Sequence, residues 1–201
     1  DEALQAYLTA LSLTPNHANT LYTLGNEYLR RGDIAQAIAS YRKSLQVDSG
    51  NADVHSNLGT VLFRAGDATG AEAELREALR LNPSQPFATA SLASVLMSKD
   101  ENEEASQLFA RLVNADPNNA QYQYNYGVAL AASGHAQEAV AAYRRAVALV
   151  PGYADARNNL GNLLRDSGDI EGAREQYSKA LETNPEHPKA KANLEKLPPK
   201  Q

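Results

Sequence analysis

Apolar residues return along this chain at helical spacing. Ala3, Leu4, Tyr7, Leu8 and Leu11 line one face of a helix over residues 1–13. In the segment that starts at Ala154, a helical wheel puts Leu160, Gly161 and Leu164 on one side. Asp155, Asn158, Asn159, Asn162, Arg165 and Asp166 fall on the other. The first set is expected to pack and the second to face solvent. Thr14-Pro15 closes the first helix, because the residue before a proline is pushed out of helical geometry. Glycine punctuates the later segments at Arg31-Gly32-Asp33, Ala65-Gly66-Asp67, Ser133-Gly134-His135 and Ser167-Gly168-Asp169. It supplies left-handed backbone past a helix end, and Asp33, Asp67 and Asp169 are expected to cap the helix that follows.

The pattern repeats every 34 residues. Pro185 is preceded at that interval by Pro151, Pro117, Pro83, Ser49 and Pro15, and Gly161 by Gly127, Ala93, Gly59 and Gly25. Ala173 heads the column Ala139, Ala105, Ala71, Ala37 and Ala3; Tyr177 heads Tyr143, Phe109, Leu75, Tyr41 and Tyr7. Columns in one register without insertion mark a solenoid of stacked helical hairpins. The units run 18–51, 52–85, 86–119, 120–153 and 154–187. Residues 1–17 form the second helix of a partial unit, and 188–201 a capping helix and tail. The 86–119 unit diverges, with Asp100 in place of glycine, Leu112 in place of alanine, and Pro86 at its start. Its Ser98-to-Glu104 corner is therefore expected to be less tightly formed. The chain opens without Met on the second half of a unit, which reads as a fragment or processed form.

Leu160, Gly161, Leu164, Ala173, Tyr177, Ala180 and Pro185 together resemble the tetratricopeptide repeat, and the likeness extends over nearly the whole chain. The resemblance implies an all-α, right-handed superhelical solenoid of stacked antiparallel helix pairs. It also implies that the polar face of the first helices lines a concave groove that binds an extended peptide or a partner helix. On that face stand Tyr22, Asn26 and Arg30, then Asn57 and Arg64, then Phe87 and Ser91. Tyr124 and Asn125 follow, and after them Asn158, Asn159, Asn162 and Arg165. One column, Thr23, Asn57, Ser91, Asn125, Asn159 and Asn193, resembles the asparagine ladder of O-linked N-acetylglucosamine transferase. An asparagine offers a donor and an acceptor on one short arm, so a row of them can hold a peptide by its backbone. The resemblance also argues against one kind of ligand. Chaperone-binding members clamp a terminal carboxylate with lysines at places held here by Tyr22, Ser56 and Phe87, so that clamp is absent. Within QYQYNY, Tyr126 is expected in the core, Tyr124 in the groove and Tyr122 between helices.

Composition narrows the function further. The net charge of −5 argues against a nucleic-acid backbone as partner. With no cysteine there is no thiolate chemistry and no zinc–thiolate site. No run of apolar residues is long enough for direct membrane insertion. His17, His55, His135 and His187 show no metal-ligand spacing, and no phosphate loop or GxSxG motif is present, so no cofactor is expected and catalysis is not the reading. A non-catalytic protein-interaction scaffold is the leading expectation. The alternatives are a substrate-recruiting arm of a larger glycosyltransferase-like enzyme, and a module that self-associates through its terminal helices. The compartment stays open between cytoplasm and periplasm.

Overall fold

The structure, a computed structural model, describes residues 2–199; Asp1, Lys200, Gln201 and the side chain of Ala3, all included in the sequence expectations, lie outside the described residues. Twelve helices and no strand are found among the described residues. They divide into two compact units, Asp1–Glu101 and Asn102–Gln201. A sequence repeat predicts one continuous domain. Division is nevertheless natural to a stack in which each helix pair touches only its neighbours.

The first unit holds α1 (Glu2–Leu13), α2 (Ala18–Arg31), α3 (Ile34–Val47), α4 (Ala52–Arg64), α5 (Ala68–Leu81) and α6 (Pro86–Ser98). The second holds α7 (Asn102–Ala115), α8 (Ala120–Ala132), α9 (Ala136–Leu149), α10 (Ala154–Asp166), α11 (Ile170–Thr183) and α12 (Pro188–Glu195). Within each unit every helix packs on the next in order, and α4 also meets α6, as α10 meets α12. Helices of this length are marginal alone, so burial between neighbours must hold them. The columns supply it. Ala37, Tyr41, Ala71 and Leu75 have no exposure in the first unit, nor do Ala139, Ala173 and Tyr177 in the second. In the second unit Tyr143, Leu160, Leu164, Tyr177 and Leu197 form one cluster, against which half-buried Tyr126 packs.

The turns show which caps the sequence specifies. Asp67 and Asp169 accept from the backbone N–H of Gly70 and Gly172 at 2.8 and 2.9 Å. Asp33 makes no such bond. Both capping carboxylates lie against a glycine. A Cβ at Gly70 would stand 2.4 Å from Asp67 Oδ2, and one at Gly172 would stand 2.3 Å from Asp169 Oδ2. Gln36 occupies the corresponding place after Asp33. Histidine caps two other helices in the same way. Nδ1 of His17 accepts from Thr20 N–H, and Nδ1 of His187 from Ala190 N–H.

The backbone at Asp100 corrects an expectation, because it takes the turn that its siblings take. Asp100 takes φ of 62°, the left-handed conformation of Gly32, Gly66, Gly134 and Gly168, and Glu101 N–H bonds Leu96 C=O at 2.9 Å. Aspartate tolerates that region better than most residues, which is why the turn survives the loss of glycine. Asp100→Gly is therefore expected to raise unfolding free energy by about 1 kcal/mol in a urea titration. An unchanged midpoint would mean that the aspartate carries no strain.

Candidate functional site

The first helix of each pair presents the polar face on which the sequence placed a groove, and the structure shows that its asparagines are already engaged. In the first unit Tyr22, Asn26 and Arg30 lie along α2, Asn57 and Arg64 on α4, and Phe87 and Ser91 on α6. Tyr41, from α3, donates its hydroxyl to Asn26 Oδ1 at 2.7 Å. Asn57 Nδ2 donates to the same oxygen at 3.0 Å and to the Tyr22 hydroxyl at 3.2 Å. Tyr22 and Tyr41 pack ring to ring at 6.1 Å. Burial pushes the Tyr41 hydroxyl up to about 12, so it remains a donor at neutral pH. Phe87 is 53% exposed, and Arg64 stands open to solvent. Ser91 is half-buried and accepts from Thr60 Oγ1 at 3.4 Å.

The second unit repeats the arrangement. Tyr177, from α11, donates to Asn162 Oδ1 at 2.8 Å, and Asn193 Nδ2, on α12, donates to that oxygen at 2.9 Å and to Asn158 Oδ1 at 3.0 Å. Asn158 Nδ2 donates to Asn159 Oδ1 at 3.2 Å, and Asn159 Nδ2 reaches the Tyr143 hydroxyl at 3.5 Å. Beside it, Tyr124 packs on Tyr153 at 4.9 Å and on Tyr143 at 6.0 Å. Tyr153 donates to Gln121 Oε1 at 2.9 Å, and Gln121 Nε2 donates to Asn125 Oδ1 at 3.0 Å. Burial raises the titration of Tyr124, Tyr143, Tyr153 and Tyr177 alike, so these hydroxyls stay protonated.

Two expectations about this face need correcting. Asn158 is 2% exposed, so it does not face solvent. A wheel drawn on one helix cannot foresee this. The buried side of Asn158 is the one α12 approaches, through Asn193. Nor are the asparagines a row of free amides, since Asn57 and Asn193 spend both their N–H groups inside the protein.

Two of the arginines on this face are likewise occupied. Arg165 pairs with Asp166 at 2.8 Å, and Arg30 holds Glu27 through two bonds of 2.9 and 2.7 Å. Arg30 and Arg31 together hold the Glu27 carboxyl down at about 2 against an ordinary 4.5. Because the folded value lies below the unfolded one, whatever this contributes is present above pH 4.5 and is lost as pH falls toward 2. In Arg30→Ala/Arg31→Ala the Glu27 midpoint, followed by NMR at its side-chain carbonyl carbon, is expected to climb back toward the ordinary value. A midpoint that stayed put would remove the guanidinium groups as the cause.

The sequence reading missed Tyr41 and Tyr177, which it gave only as a repeat column. A signal was present. Each tyrosine follows its asparagine by 15 residues. Phe109 and Leu75, which carry no hydroxyl, follow Ser94 and Thr60 instead. Gln121 falls on this face by its register, whereas Tyr153 gave no comparable signal, since no other repeat has a tyrosine at its place.

Comparison with known proteins agrees with this architecture. No curated protein matches the chain. Among solved structures, YrrB, described as "a TPR protein with an unusual peptide-binding site", is 24% identical with a TM-score of 0.85, over 96% of this chain and 99% of that one. MamA from Desulfovibrio magneticus RS-1 is 22% identical with a TM-score of 0.80, over 85% and 97%. PilF of Pseudomonas aeruginosa is 22% identical with a TM-score of 0.72, over 83% and 76%. These likenesses show the fold. Residues 1–197 match the family model described as the C-terminal domain of cilia and flagella-associated protein 70, a tetratricopeptide-repeat model, and the chain belongs to that family.

Proposed function

We propose that the chain is a non-catalytic interaction scaffold that binds extended polypeptide along the asparagine–tyrosine face of its first helices. One observation carries the reading. In each unit an asparagine pair braced by a buried tyrosine leaves one polar atom of each amide unbonded. These are Asn26 Nδ2 and Asn57 Oδ1 in the first unit, and Asn162 Nδ2 and Asn193 Oδ1 in the second. All four keep solvent access, because among the described residues only Ser56 Oγ, Gln85 Oε1 and Arg174 Nε are buried side-chain atoms without a hydrogen bond. Phe87 in one unit and the Tyr124–Tyr153 pair in the other add the aromatic area that anchors peptides. YrrB, alike in fold, is described as having a peptide-binding site, which fits this reading.

The test is selection from a random-peptide display library, followed by affinity measurement on Asn26→Ala/Asn57→Ala and Asn162→Ala/Asn193→Ala. Selected peptides are expected to lose roughly tenfold or more in affinity on at least one variant, about 1.4 kcal/mol. Peptides that bind both variants as well as the parent would move the site off this face.

A further inference from the structure

The asparagine pairs are oriented as well as exposed, and their orientation selects what they can bind. Asn26 Oδ1 has its two lone pairs filled, by the Tyr41 hydroxyl and by Asn57 Nδ2. The Asn26 amide therefore turns its NH2 outward, as a donor only. Asn57 has spent both N–H groups, on Asn26 and on Tyr22, and so turns its oxygen outward, as an acceptor only. The second unit reproduces this with Tyr177, Asn162 and Asn193, with Asn158 taking the place of Tyr22 as the second acceptor. A bond of 3.0 Å joins the two amides in one case and of 2.9 Å in the other, so the free donor and free acceptor flank it closely.

We infer that each pair holds the backbone N–H and C=O of a single residue in an extended partner, and that Tyr41 and Tyr177 are the positioning residues that fix this polarity. In extended chain the N–H and C=O of one residue point to the same side, as in the bonded pairs of an antiparallel sheet. That is the complement of a neighbouring acceptor and donor. The C=O meets Asn26 or Asn162 and the N–H meets Asn57 or Asn193. The side chain of the held residue takes no part, so each pair reads backbone conformation and leaves selection to other groups. Tyr41 and Tyr177 do not touch the partner. They act by filling one lone pair of the asparagine oxygen, and without that bond the amide can turn over. The inference rests on the reading of this face as a peptide site.

The smallest probe is N-acetylalanine N-methylamide, which carries one complete residue between two amides. In titrations followed by NMR, the side-chain NH2 signals of Asn26 and Asn162 are expected to shift with added probe. Those of Asn57 and Asn193, already bonded, should move less than half as far, while their side-chain carbonyl carbons shift. The ester analogue, in which the alanine N–H is replaced by oxygen, should keep the first effect and lose the carbonyl shifts. Tyr41→Phe/Tyr177→Phe retains both rings, and in it the contrast between paired asparagines should disappear. Equal or reversed shifts in the parent overturn the inference, as does a contrast that survives in the phenylalanine variant. If the probe behaves as expected but no library peptide depends on the asparagines, the proposed function fails and the oriented pairs stand. If library peptides depend on the asparagines but bind the phenylalanine variant unchanged, the positioning role alone fails.

Discussion

Tyr177→Ala is expected to lower unfolding free energy by about 3–5 kcal/mol, the range for deleting a large buried ring. The side chain has no exposure and lies in a cluster with Tyr143, Leu160 and Leu164. Its ring edge lies over Gly161 so closely that a Cβ there would stand 2.5 Å from Cε1. Alanine would leave that volume empty, because the glycine opposite has no side chain with which to fill it. Tyr177→Phe separates the ring from the hydroxyl. It keeps the ring and loses only the bond to Asn162, at about 1 kcal/mol. Urea unfolding of both variants decides the matter. An alanine variant within about 0.5 kcal/mol of the parent, the range of ordinary surface changes, would show that the ring does not hold α10 to α11. The wide gap expected between the two variants also means that the phenylalanine variant remains folded, as the binding experiments require.

The helix pairs were legible in the sequence because their determinants repeat. Gly25 with Tyr41 and Gly161 with Tyr177 are each a ring set over a bare backbone, and a fixed interval makes such a pair visible without coordinates. Features that depend on a single neighbour were not legible. The Asp67 and Asp169 caps form and the Asp33 cap does not, although all three aspartates hold the same place in the repeat. Asp100 suggested a loose corner because glycine is the common solution there, whereas the geometry requires only a residue that accepts positive φ. On the face of the first helices the chemistry of the asparagines was misread. Asn57, Asn159 and Asn193 share a column and so looked equivalent. Their bonds are set by what stands at Asn26, Val128 and Asn162 in the preceding repeat. Where that residue is Asn, the tyrosine hydroxyl donates to it. Where it is Val128, the Tyr143 hydroxyl is left to accept from Asn159.

The Gly59–Leu75 contact offers a sharper test of the same packing rule, because here the glycine faces a leucine and a backbone carbonyl. Leu75 has no exposure, and Leu75→Ala is expected to cost about 2–5 kcal/mol. In Gly59→Ala the new Cβ would meet Leu75 Cγ at 2.6 Å and Ala71 C=O at 3.0 Å. Overpacking of this kind costs about 1–3 kcal/mol, and alanine returns about 0.5–1 kcal/mol through its better helix propensity, so a net loss is expected. Combined, the two changes should partly cancel. The alanine at 59 enters space vacated by the leucine, and only the Ala71 carbonyl still resists it. The double variant is therefore expected to be more stable than the two single losses predict, with a coupling of about 0.5–3 kcal/mol from a four-way urea cycle. Strict additivity would show that the leucine is not what crowds position 59. A favourable coupling would place the spacing of α4 and α5 under the control of this one pair, and with it the position from which Asn57 reaches Asn26 and Tyr22.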